Sequence, residues 1–180
     1  HSTVCYFSLP SLPPLCFQFF YIFVGLLKKP KHFEADTLHR YAVVVSARNE
    51  RSVIAQLIES IKNQNYPSDL VDVFLIADNC TDDTAQVARS AGAIVYERFN
   101  DKQVGKGYAL DWMFEIINRD YAEKEYAAYM IFDADNLLDP NYIAEMNKVF
   151  SAGYRIITSY RNSKNFGSNW ISAGYSLWFL

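Results

Sequence analysis

From Tyr41 onward, apolar positions alternate between two spacings. Tyr41–Ala47 (Tyr-Ala-Val-Val-Val-Ser-Ala) is a β-branched and apolar run, the pattern of a strand covered on both faces. Between Ser52 and Asn63 the apolar residues fall at Val53, Ile54, Leu57, Ile58 and Ile61, a helical stripe. The turn Asn65-Tyr-Pro-Ser68 closes that helix, and Val71–Ala77 predicts a second strand. Thr81 is placed as the N-cap of a helix reaching about Ala91, with Asp82 and Asp83 where the positive end of the helix dipole favours them. Gly92 stops it, and Ala93–Tyr96 follows as a third strand. Gly107 to about Asn118 predicts a helix with Leu110, Met113, Phe114 and Ile117 on one face. Tyr129–Phe132 is expected as a fourth strand, Asn141–Phe150 as a helix ended by Gly153, and Arg155–Tyr160 as a fifth strand. Such strand–helix alternation implies an α/β sandwich with a mostly parallel central sheet.

The stretch before Tyr41 breaks this pattern. It is apolar and aromatic to Leu27, interrupted by Pro10, Pro13 and Pro14, and followed by Lys28, Lys29 and Lys31. The uninterrupted run from Leu15 to Leu27 would make a helix of roughly 20 Å, against the roughly 30 Å of a bilayer core. Basic residues after the apolar run are the reverse of a signal peptide and suit a membrane-associated helix with a cytoplasmic flank. Residues 1–40 are therefore read as an apolar segment associated with a membrane, and residues 41–180 as the functional domain on the cytoplasmic side. His1 in place of Met, and Leu180 inside an apolar run, lead us to expect a piece of a longer protein.

Composition narrows the function. With 180 residues, 51% hydrophobic and 21% charged, the chain has material for one packed domain. A net charge of −3 and a pI near 5.6 argue against a nucleic-acid-binding surface. An anionic ligand would have to be held locally, through a metal or backbone donors. Cys5, Cys16 and Cys80 show neither pairing nor metal-ligand spacing, and the odd count fits a reducing compartment.

Polar motifs gather where such a sheet binds ligands, beyond the carboxyl ends of its strands. The first strand runs into Arg48-Asn49-Glu50, and the second into Asp78-Asn79-Cys80-Thr81-Asp82-Asp83. Gly105-Lys106-Gly107 opens the third helix, and the fourth strand ends in Asp133-Ala134-Asp135-Asn136. Residues two apart in an extended strand share a side, so Asp133 and Asp135 are expected to face one point. Two such carboxylates repel and are best reconciled by a shared hard cation, Mg or Mn, whose shell water and substrate phosphates complete. Asp78 can accept a hydrogen bond from a nucleobase N–H, or serve as turn chemistry. Lys106 sits between glycines at a helix start, where a phosphate can come close. Glu50 and Asp82 are equally compatible with capping or surface roles. The spacings match neither a Walker A loop nor G-x-G-x-x-G.

In this order, Ala47-Arg-Asn-Glu50, Asp78-Asn-Cys-Thr-Asp-Asp-Thr84, Gly105-Lys-Gly-Tyr-Ala-Leu110 and Asp133-Ala-Asp135 resemble family 2 glycosyltransferases of the processive type, such as cellulose, chitin, hyaluronan and poly-N-acetylglucosamine synthases. The resemblance covers residues 41–180 and implies a GT-A-type, Rossmann-like three-layer sandwich. It also implies a nucleotide-diphospho-sugar donor, commonly a UDP-sugar, a divalent metal and a glycan acceptor in polysaccharide biosynthesis. By motif match, Ala47, Asn49 and Glu50 lie beside the nucleoside and Asp78 contacts the base. Lys106 lies near the base and ribose or the diphosphate, Asp133 close to the ribose and diphosphate, and Asp135 serves as the more direct metal ligand. The implied reaction is an inverting displacement driven by a carboxylate general base. The family's later Thr-Glu-Asp-type and Gln-x-x-Arg-Trp motifs do not occur before Leu180. The base is therefore expected beyond Leu180, with no catalytic residue in this chain and the chain alone inactive. The alternatives are a catalytically inactive donor-binding or structural fragment, and a sugar nucleotidyltransferase, which would carry a Gly-rich loop with Arg after the first strand.

Overall fold

The computed structural model describes residues 31–159, together with Phe20, Phe23, Val24 and Leu27. The chain separates into two compact units, His1–Phe33 and Glu34–Leu180. In the first, Phe20, Phe23, Val24 and Leu27 are helical, and Phe20, Phe23 and Leu27 are exposed. Most of the apolar run Leu15–Leu27 lies outside the described residues. Among the described residues, no helix is long and apolar enough to cross a membrane.

In the second unit, β1 (Tyr41–Ala47), β2 (Val71–Asp78), β3 (Ile94–Arg98) and β4 (Ala128–Asp133) form one sheet in the order β3-β2-β1-β4. Every pairing is parallel, with Tyr41 opposite both Val71 and Ala128, and Phe74 opposite Ile94. The helices between them are α1 (Ile54–Lys62), α2 (Thr84–Ser90), α3 (Lys106–Asp120) and α4 (Tyr142–Ser151).

Alternation along the strands explains the layering. Tyr41, Val43, Val45, Val73 and Leu75 point to one face, where Leu57, Ala88 and Ile143 from α1, α2 and α4 cover them. Ala42, Val44, Phe74 and Ile76 point to the other, against Ala109, Met113, Ile116 and Ile117 of α3. Both faces being covered, β1 and β2 have no polar face to show, and the α/β sandwich predicted from the sequence is the fold observed. Buried polar bonds fix where α4 sits. Tyr41 Oη donates to Asn147 Oδ1 at 2.8 Å, and Asn147 Nδ2 donates to the Thr37 carbonyl at 2.9 Å. Gln64 joins α1 to α4, giving Nε2 to the Asp139 carbonyl (2.8 Å) and accepting the Ile143 N–H on Oε1 (3.0 Å).

Two expectations are corrected. Thr81 does not cap a helix: α2 begins at Thr84, and the Thr81 N–H goes instead to Asn49 Oδ1 at 2.8 Å. The turn is held by a side chain from β1's end, which no local signal announces. Residues 155–159 form bends and irregular backbone rather than a fifth strand, and Tyr160 lies outside the described residues. Their β-branched composition favours extension, but a strand exists only through a ladder, and Ile156 is 91% exposed.

Because Leu57 is fully buried between α1 and the sheet, Leu57→Ala is expected to cost about 2–5 kcal/mol. Glu59→Ala on the exposed side of the same helix should stay within about 0.5 kcal/mol. Urea melts of both variants check this; equal losses would contradict the burial pattern.

Candidate donor-binding site

The parallel register brings all four carboxyl ends to one edge. Ser46 pairs with Asp133 and Asp78 with Arg98, so the polar segments that follow β1, β2, β3 and β4 emerge side by side. The strand order also reverses here: β2 lies on one side of β1 and β4 on the other, and such a switch point opens a crevice.

At the end of β1, Asn49 adopts φ 58°, a left-handed conformation that asparagine tolerates better than most residues. The bend lets its Oδ1 accept the Thr81 N–H, while its own N–H goes to Cys80 Sγ at 3.4 Å. The Glu50 N–H donates to Thr84 Oγ1 at 2.9 Å, and its carbonyl starts α1 by accepting from Val53 and Ile54. Ala47 packs in the core at 2% exposure, and its carbonyl accepts the Cys80 thiol. Asp82 caps locally, accepting the Thr84 N–H at 3.0 Å, and its bond with the Thr84 hydroxyl holds its carboxyl below the usual range.

At the end of β2, Asp78 is buried and ion-paired: Arg98 Nη1 donates to its Oδ1 at 2.7 Å, with both side chains under a tenth exposed. The same guanidinium gives Nη2 to the Gln103 carbonyl at 2.8 Å. Asn79, at φ 52°, is tied to Asn100 both ways, donating Nδ2 to its carbonyl (3.0 Å) and accepting its N–H on Oδ1 (2.9 Å). The Asn100 side chain then accepts the N–H groups of Lys102 and Gln103. The segment from β3 to Gly105 is thus tied to the carboxyl end of β2.

Lys106 begins the fifteen-residue helix α3 directly after Gly105, whose φ of 127° excludes most other residues. A Cβ at Gly105 or Gly107 would meet nothing within 4 Å, so open space lies on both sides of Lys106. Its ammonium forms an ion pair with Asp133 Oδ1, joining the start of α3 to the end of β4.

The Asp133-Ala-Asp135 geometry differs from the expected alternation. Extended backbone ends at Asp133, and the Asn136 N–H closes a turn onto the Asp133 carbonyl at 3.1 Å. Asp135 therefore sits on a turn, exposed, accepting from Asn136 Nδ2 at 3.3 Å, with Ala134 buried between the two acids. Among the described residues no three acidic, histidine or cysteine side chains are grouped to hold a metal. This donor set fits a hard cation that takes one or two carboxylates and completes its shell with phosphate and water.

Residues 39–179 match the family described as glycosyltransferase like family 2. The chain belongs to that family. A curated family relative, the 4,4'-diaponeurosporenoate glycosyltransferase of Staphylococcus aureus, is 43% identical over 70 residues, 37% of this chain and 18% of that enzyme. A mannosyltransferase from Pyrobaculum calidifontis, solved in complex with GDP-Man and Mn2+, matches with a TM-score of 0.57 at 22% identity, over 73% of this chain and 39% of that one. That likeness identifies the GT-A fold for this glycosyltransferase domain.

The residue that the sequence did not reveal is Arg98. The third strand was expected to end at Tyr96; it continues to Arg98, twenty positions from its carboxylate partner. The one available signal was a cation closing a strand beside one that closes in an acid. At Cys80, burial pushes the thiol up from its ordinary value, and Sγ bridges the Ala47 carbonyl and the Asn49 N–H. Alkylation at pH 8, followed by peptide mass spectrometry, should label Cys80 several-fold more slowly in the folded chain than after denaturation. Equal rates would show an open, ionised thiol instead.

Proposed function

We propose that this domain binds a nucleotide-diphospho-sugar, a UDP-sugar, together with Mg or Mn, and that its parent enzyme transfers the sugar to a glycan acceptor. The observation that carries this reading is the convergence of Asp78, Lys106 and Asp133 at one sheet edge: Asp78 closes β2 and pairs with Arg98 at the end of β3, while Lys106 opens α3 and pairs with Asp133 at the end of β4. Asp78 would accept a base N–H, with Asn49 and Glu50 beside the nucleoside. Lys106 and the first N–H groups of α3 would meet the diphosphate, for which the glycines leave room and the helix N-terminus supplies partial positive charge. Asp133 and Asp135 would hold the cation, which supplies charge stabilisation for the departing diphosphate. The Lys106–Asp133 pair is about half exposed, and such pairs contribute only about 0–1 kcal/mol. Lys106 can therefore exchange its carboxylate for a phosphate when a cation takes over Asp133.

Inversion at the anomeric carbon and a polysaccharide product rest on the family resemblance. Association with the cytoplasmic face of a membrane rests on the apolar run followed by Lys28, Lys29 and Lys31.

Calorimetric titration of the chain with UDP-sugar is expected to show binding that requires Mn2+ or Mg2+. It should weaken at least about tenfold, or roughly 1.4 kcal/mol, in Asp135→Ala. Asp135 is exposed on a turn, so this variant should melt like the parent. Binding that ignores both the cation and Asp135 would overturn the metal assignment; no binding at all would favour a structural fragment.

A further inference from the structure

We propose that Arg98 is a positioning residue that makes Asp78 a one-oxygen acceptor, and so sets the domain's preference for a base with a single imide N–H, a uracil-type pyrimidine, over guanine. The inference rests on the donor reading above and extends it to the choice of base.

The geometry begins with the carboxylate. Oδ1 of Asp78 is engaged by Arg98 Nη1 at 2.7 Å and approached by Asn79 Nδ2 at 3.5 Å. None of these bonds reaches Oδ2. Since every buried polar side-chain atom among the described residues has a partner, Oδ2 is the oxygen that opens to solvent. A carboxylate held this way offers an incoming base one acceptor. Uracil presents one ring N–H between two carbonyls, which that oxygen satisfies. Guanine presents a ring N–H and an adjacent amino group, a pair of parallel donors that asks for both carboxylate oxygens. With Oδ1 occupied, one guanine donor would be left unmatched on entering the site.

Arg98 is itself held. It is 5% exposed, lies opposite Asp78 in the β2–β3 register, and reaches the Gln103 carbonyl with its second nitrogen. The fork therefore couples the orientation of Asp78 to the loop that ends at Gly105 and Lys106. Base and diphosphate contacts are spaced by one side chain. A lysine in its place would keep the charge but not the two-pronged reach.

Equilibrium binding of UDP, GDP and IDP to the chain with Mn2+ tests this. IDP keeps the purine ring N–H and lacks the 2-amino group. UDP is expected to bind at least about tenfold tighter than GDP, the ratio one unmatched donor commands, and GDP no tighter than IDP. GDP binding about tenfold tighter than IDP would mean that both carboxylate oxygens serve the base, and would overturn the proposal without any variant. In Arg98→Lys, checked as folded by its thermal transition, UDP affinity should fall about five- to tenfold and the UDP:GDP ratio should shrink toward one. A folded Arg98→Lys with the parent's ratio overturns the positioning role, since a purely structural role would lower both affinities together. UDP binding unaffected by Asp78→Ala would leave the donor reading standing and remove this one. Failure of the parent chain to bind any of the three nucleotides would remove both.

Discussion

A strand with helices on both faces and neighbours on both edges can meet a ligand only at its ends. β1 is in that position: its two faces are buried under α1 and α3, and β2 and β4 occupy its edges. Parallel pairing sends every carboxyl end to the same side, and the connections leaving that side must carry the polar residues that the strands cannot. Asn49, Asp78, Arg98 and Asp133 all lie within two residues of a strand's last position. The site is a consequence of how the core is covered.

Gathering carboxylates at one edge creates a charge problem, and the β3–α3 connection answers it. Arg98 at its start pairs with Asp78, and Lys106 at its end pairs with Asp133. The two pairs differ in kind. Taking one partner from the buried Arg98–Asp78 pair would strand a charge, a loss of about 3–5 kcal/mol, so that pair belongs to the fold as much as to the site. The Lys106–Asp133 pair, which joins the start of α3 to the end of β4, is half exposed and screened by solvent. One end of the connection is locked, the other is available for exchange. In the donor-binding reading proposed above, the locked pair serves the base and the exchangeable one the phosphates and cation. The left-handed Asn49 and Asn79 fit the same division, since each bends the chain straight after a strand and holds a neighbouring loop with its side-chain amide. Strained backbone of this kind persists where surrounding bonds over-determine it.

Much of this was legible along the chain because it is local. The Tyr41–Ala47 run and the Ile54, Leu57, Ile58, Ile61 stripe report their own burial, since side-chain period follows directly from backbone period. The motif order placed Asn49, Asp78 and Asp133 at strand ends and Lys106 at a helix start, which is where the structure has them. Where the reading failed, a partner distant in sequence had intervened. Thr81 was expected to cap a helix and is instead bound by Asn49. Arg155–Tyr160 has strand composition, yet residues 155–159 join no ladder with a strand among the described residues. Asp135 was placed by strand alternation beyond the point where the strand stops.

By itself, then, the sequence determined the alternation of strands and helices, the two-sided burial of the sheet, and the residue types available at each strand end. Those follow from periodicity and composition, which act over a few residues. Tertiary structure alone decided which charges meet: that Asp78 receives Arg98 and not Lys106, that Lys106 faces Asp133, and that one oxygen of Asp78 stays open. Pairing depends on strand order and register, and these are set by the packing of α1 and α3 on opposite faces of the sheet, a global balance that no local stretch of residues records.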